Sequence, residues 1–291
     1  MRYNITHTTT YDYSEAVSVS HHIARLSPRT LPRQRCLRHE MSIEPAPAVT
    51  SEHVDYFGNA ATFFVIQAPH AQLKVLSRSE VEVSAAEMPD PSESPPWETV
   101  RDGFANGLSP ETLEAYEFVF DSTLIRANAE FAAYAAGSFP AGRPLLEAVI
   151  DLTRRIHADF TFEKATSVAT PLDEVFRARR GVCQDFAQLQ IACLRSLGLA
   201  ARYVSGYLKT ASPPNRPRLM GADASHAWLA VYCPGVGWID VDPTNLLPST
   251  THITLAWGRD YSDVSPIRGV ILGGGEHSLK VAVDVVALEG G

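Results

Sequence analysis

The rhythm of apolar and polar positions changes along the chain. Up to about residue 86 it is period two: "YNITHTTTYDY", "VSVSHHIARLS", "LRHEMSIEP", "NAATFFVIQ" and "LKVLSRSEVEVS" place β-branched and aromatic residues alternately between turn signals. The pattern predicts strands of a small antiparallel β-domain over 1–86. "DYFGN" is its hairpin turn, with Gly58 and Asn59 suited to positive φ. The pattern then breaks: "EMPDPSESPPWE" sets four prolines and four acids in residues 87–98, too polar to bury, and is expected to open a linker over 87–109.

From about residue 110 the period lengthens. "PETLEAYEFVF", "NAEFAAYAAG" and "RPLLEAVIDLTRRIHADF" read as helices. The last puts Leu145, Val149, Leu152 and Ile156 on one face, with Pro144 suited to its first turn. "CQDFAQLQIACLRSLG" predicts a helix that buries Phe186, Leu189, Cys193 and Leu197 and stops at Gly198. Period two returns in "ARYVSGYL", "HAWLAVY", "GWIDVDPT" and the tail "SLKVAVDVVAL". A helical half followed by an antiparallel half is α+β, and residues 110–291 are expected to form one core that includes the C-terminal strand.

Charge excludes more than it suggests. The formal net charge of -8 leaves no footprint for nucleic acid or anionic membrane. Five arginines between 25 and 38 fit a solvated sheet face, because residues 1–60 hold six arginines and six acids. Residues 80–147 hold thirteen acids and three arginines, as a solvated linker and surface helices would. "LGGGE" lacks the strand and helix of a phosphate loop. No run approaches the ~18 apolar residues of a membrane helix, and the N-terminus lacks an apolar signal core. Cys36, Cys183, Cys193 and Cys233 show no paired spacing, so unpaired thiols in a reducing cytoplasm are expected.

Cys183 stands where "RRGV" turns into a helix. The unpaired N–H groups and the dipole of a helix N-terminus favour a thiolate there, and Gly181 lets the backbone approach closely. Cys193, on the apolar face of the same helix, is expected to be inert. A nucleophilic thiol needs a base. His226 opens "HAWLAVY", and if Tyr232 and Trp238 flank the turn "CPGVG", period two puts His226 on the face that carries Asp240 and Asp242. Either carboxylate then orients the ring, Asp240 lying nearer the turn. Together they make a Cys–His–Asp arrangement. A zinc site from Cys183, His226 and Asp242 lacks an evident fourth ligand, so neither metal nor cofactor is expected.

"GVCQDFAQL…ACLRSLGLAARYVSGYL" and "SHAWLAVYCPGVGWIDVDPTN" resemble the core of the transglutaminase-like superfamily. "YDYSEAVSVSHHIARLSPR" and "DYFGNAATFF" resemble the N-terminal β-domain of its bacterial members, and "GRDYSDVSPIRGV" resembles the segment after the core. The resemblance implies a papain-like fold with the triad Cys183, His226 and Asp242, preferring Asp242 to Asp240. It implies acyl transfer or hydrolysis at amide bonds of a peptide or protein, with an amine as a second acceptor, or a catalytically silent peptide-binding module on the same fold. The Cys183 N–H is the natural first oxyanion donor, with Gln184 as a candidate second. Animal transglutaminases use a tryptophan indole upstream of the cysteine; "ADFTFEK" offers Phe160 and Phe162, which have no N–H. Asp260, Tyr261 and Asp263 of "GRDYSD" either line the cleft or cap a turn, the turn being the expected role.

Overall fold

The computed structural model describes residues 1–85, 88–106, 110–163, 170–209, 224–246 and 251–288. Residues 86, 87 and 109, at the expected domain boundaries, lie outside that set. Alternation in the N-terminal region produces β1 (Arg2–Ala24), β2 (Gln34–Glu44), β3 (Val49–Val54), β4 (Ala60–Ile66) and β5 (His70–Val83). The two stretches read as separate first strands are one strand. A bulge between Asp12 and Val17 absorbs the polar "SEA" that looked like a turn. The predicted turn joins β3 to β4: Gly58 takes φ +76, while Asn59 does not enter the left-handed region.

Within the expected linker lies α1 (Trp97–Asn106), which the charge had concealed. The helices α2 (Pro110–Tyr116), α3 (Ala129–Ala136) and α4 (Leu145–Asp159) follow as the period predicts. Asn128 caps α3 by accepting from Phe131 N at 2.9 Å. Next come β6 (Thr161–Phe162), α5 (Leu172–Ala178), β7 (Arg180–Gly181) and α6 (Cys183–Ser196). The second sheet is β8 (Ala201–Leu208), β9 (Ala224–Cys233), β10 (Gly237–Val241) and β11 (His252–Gly258), ordered β10-β9-β8-β11 and antiparallel throughout. The chain ends with α7 (Tyr261–Val264), β12 (Ile267–Gly273) and β13 (His277–Leu288).

Two features differ from the sequence reading. The C-terminal strands leave the core: β12 and β13 both pair with β1 and complete the N-terminal sheet. Alternation shows that such a segment is a strand but carries no information about its partner. And α6 is buried on every side from Gln184 to Arg195, although its pattern suggests one apolar face. Some of its buried polar groups are bonded: Gln190 Nε2 meets Thr153 Oγ1 at 2.7 Å, and Arg195 donates to the carbonyls of Phe118, Ala201 and Arg259, while Gln188 Oε1 and Gln190 Oε1 have no partner among the described residues.

One apolar core runs through both parts. Tyr3, Ile5, Val81, Val83, Val283 and Val285 of the N-terminal sheet join Leu229, Val231, Tyr207 and the helices. Buried between them, His7 bonds Tyr207 Oη at 2.9 Å and Thr9 Oγ1 at 2.8 Å.

Candidate active site

The loop before α6 is held by backbone bonds to the β6 region: Thr161 N donates to Arg179 O and Glu163 N to Gly181 O, each at 2.9 Å. Val182 stands at the N-cap position, and its backbone N–H donates to the Asp185 carboxylate at 2.9 Å. Burial pushes the Asp185 pKa up while that hydrogen bond opposes the shift. Gly181 is needed because a Cβ there would lie 2.7 Å from Asp185 Oδ2. Cys183 therefore occupies the first helical position, half-buried, among N–H groups with no intrahelical acceptor.

The hairpin has the expected register. Trp238 faces Tyr232 and Val241 faces Leu229, so Asp242 lies one residue beyond the ladder, diagonal to His226. His226 Nε2 meets Asp242 Oδ2 at 2.7 Å, with Asn245 Nδ2 at 3.2 Å from the same nitrogen, and the Cys183 side chain is close enough to help raise the His226 pKa. Asp240 pairs instead with Arg33 of the N-terminal region. The structure thus brings Cys183, His226 and Asp242 together and turns Asp240 away.

Asp242 is completely buried and densely bonded. Oδ1 accepts from Thr244 N at 2.8 Å and Asn245 N at 3.1 Å; Oδ2 accepts from His226, from Asn245 Nδ2 at 2.9 Å and from His252 Nε2 at 2.8 Å. Burial alone would raise its pKa, but the bonds from His226 and His252 and the His226 charge hold it well below the usual carboxylate range. For His226, burial opposes the charged form. The hydrogen bonds to Asp242 and Cys183, with the charges behind them, outweigh burial and carry the pKa to about 9. A carboxylate only accepts, so His226 Nε2 carries a proton and Nδ1 is the nitrogen left for the thiol. These groups favour the protonated imidazolium near neutrality.

His252 was not singled out in the sequence; nothing in "THITLAWG" marks it, since its partner lies in the turn after β10. Trp228 covers the cluster, stacked on His226 (centroids 6.0 Å apart) and edge-on to His252 at 5.2 Å. It fits because Gly206 lies beneath: a Cβ there would stand 2.1 Å from Ile253 O and 2.5 Å from the indole. The ligand atoms of His226, Asp242 and His252 lie within 4.8 Å of one another, close enough to weigh as a metal site. They already meet as donor and acceptor at 2.7 and 2.8 Å, the geometry of a hydrogen-bonded relay.

The comparisons with known proteins match this architecture. The bacterial transglutaminase-like N-terminal region matches residues 3–82, and the transglutaminase-like superfamily core matches 133–243, a span that contains Cys183, His226 and Asp242. A protein of Mycobacterium tuberculosis (strain H37Rv), described as uncharacterized, is 44% identical over 99% of this chain and 94% of its own. The chain belongs to the transglutaminase-like superfamily. A Mycobacterium leprae protein, also described as uncharacterized, is 33% identical over 99% of both chains. A Pseudomonas aeruginosa protein-glutamine gamma-glutamyltransferase is 28% identical over 35% of this chain and 18% of its own. The crystal structure of a candidate cysteine protease from Cytophaga hutchinsonii covers 100% of this chain and 92% of its own, with TM-score 0.78 at 21% identity, and shows the shared fold.

Around the transglutaminase-like centre the remaining residues fall as follows. Gln184, second in α6, is buried at 7% exposure. Phe160 is buried under the Arg179 guanidinium, and Phe162 is half exposed beside Gly181, so neither brings an N–H to the thiol. Asp260 caps α7, accepting from Ser262 N at 2.8 Å, and Asp263 pairs with Arg259, which is the turn role expected of "GRDYSD". Among the described residues, no helix is long and apolar enough to cross a membrane.

Proposed function

We propose that this protein is a thiol enzyme of amide acyl transfer, with Cys183 as nucleophile, His226 as acid and base, and Asp242 as the group that orients the ring. The observation that carries this is the buried 2.7 Å contact between His226 and Asp242, with the Cys183 side chain interacting with the same imidazole. The thiolate attacks an amide carbonyl of a peptide or protein. The Cys183 backbone N–H, and Gln184 as a second donor, stabilise the oxyanion. His226 gives its proton to the departing amine as the C–N bond breaks and a thioester forms. Water or an amine then attacks the thioester, and His226 takes the proton it releases. Amine transfer is the activity named for the Pseudomonas aeruginosa relative. The cytoplasm suits the four unpaired cysteines.

The catalytically silent peptide-binding module draws support from one observation, the lack of an N–H on Phe160 and Phe162. Acylation separates the two readings. Treated with p-nitrophenyl acetate and read by peptide mass mapping, the enzyme is expected to gain one acetyl group, on Cys183, which glycine methyl ester or water then removes. Loss of that label in Cys183→Ala supports the proposal. Acetylation spread evenly over Cys36 and Cys183, or absent from both, leaves the binding module.

A further inference from the structure

We propose that His252 is a positioning residue of this site, a second imidazole that fixes the Asp242 carboxylate for His226, and that the N-terminal sheet keeps it in place by gripping β11. The inference rests on the acyl-transfer reading above.

Proton accounting comes first. Asp242 Oδ2 receives both His226 Nε2 at 2.7 Å and His252 Nε2 at 2.8 Å. A carboxylate offers no proton, so each Nε2 must carry one, and both rings donate to the same oxygen. Two backbone N–H groups hold Oδ1. With both oxygens pinned, the carboxylate plane cannot turn, and the His226 ring keeps the tautomer that presents Nδ1 to Cys183. The other side chain on Oδ2, Asn245, is exposed, whereas His252 is 2% exposed and wedged edge-on against Trp228. The groups facing His226 are Cys183 from α6, Asp242 from the turn after β10 and His252 from β11; Gly206, its β8 neighbour, brings no charge.

The hold on β11 comes from elsewhere in the chain. β8 pairs with it on one side. Two buried amides from the N-terminal region also bond its backbone, as a neighbouring strand would. Gln34 accepts from Thr254 N and donates to Thr254 O, both at 2.8 Å, two residues from His252. Asn59 accepts from Trp257 N at 3.0 Å and donates to Trp257 O at 2.9 Å. These bonds give the N-terminal sheet a direct mechanical path to the carboxylate: Gln34, then Thr254, His252 and Asp242.

A histidine buried only for packing predicts different behaviour, and the full-length chain can tell the two apart. The readouts are the acylation rate of Cys183 by p-nitrophenyl acetate against pH, its iodoacetamide alkylation profile, and Tm. His252→Phe is expected to slow acylation about 10- to 100-fold, as small misplacements of catalytic groups do. Removing one donor leaves Asp242 a stronger partner for His226, so the His226 limb of the profile moves to higher pH. His252→Gln, which restores an N–H donor, recovers most of the rate and the original limb. Gln34→Ala, remote from the thiol, moves rate and limb in the same direction as His252→Phe but less, and it serves if the Phe variant does not fold. A lower Tm with an unmoved limb, or a His252→Gln variant no better than His252→Phe, overturns the inference. A wild type whose Cys183 is not acylated and alkylates no faster than Cys36 overturns the acyl-transfer reading itself.

Discussion

Cys183 and Cys193 share one helix and face opposite environments. Burial pushes the Cys193 thiol up to about 12, while Cys183 sits half-buried at the helix start against His226. That contrast was legible, because helix position and apolar neighbours are local properties. His252 was not legible, because a hydrogen bond from a strand to a turn distant in sequence leaves no periodic trace. Asp242→Asn is expected to lower Cys183 acylation by about 100-fold or more, since the amide no longer fixes the imidazole tautomer. The His226 limb should fall from about 9 as burial takes over, which a pH–rate profile reads. Asp242→Ala leaves two buried imidazoles without their acceptor and is expected to cost about 3 kcal/mol or more in urea unfolding. Gly206→Ala should destabilise by about 1–3 kcal/mol, because the backbone carbonyl of Ile253 cannot give way as a flexible side chain does.

At the scale of elements, the start and end of α6, the hairpin of β9 and β10 and its register were all readable, since each depends on residues within one short stretch. The depth of α6 was not, because burial on every side depends on what packs around it. Nor was the role of Asn59: a turn residue on the sequence pattern, it is a completely buried clamp on β11 in the fold. Gln34→Ala strips Thr254 N of its bond to the Gln34 side chain and is expected to cost about 2 kcal/mol by denaturant midpoint. Hydrogen exchange should rise in β11 more than in β9, because β9 keeps strand partners on both sides.

For the whole molecule, both the N- and C-terminal segments build the first sheet, so the division into a β-domain and a following core holds for chemistry better than for folding. A chain lacking residues 1–86 leaves β12 and β13 without β1 and is expected to aggregate, as light scattering would show. Acid should loosen the joint between the two sheets. Burial lowers the pKa of His7, between the sheets, and of His22 from 6.5 to about 4. Both are neutral when folded, so their contribution is fully present above 6.5 and is lost as pH falls toward 4, by about 3 kcal/mol for His7 and less for the more exposed His22. Tm should therefore drop across that window in the wild type and less steeply in His7→Gln.

The most direct test of the site is the pH dependence of iodoacetamide alkylation at each cysteine, mapped by peptide mass, in wild type and His226→Ala. The account predicts that at neutral pH Cys183 reacts far ahead of Cys36 and Cys233, whose thiols burial pushes up, and that His226→Ala removes the advantage. A Cys183 no faster than Cys36 at any pH would contradict it.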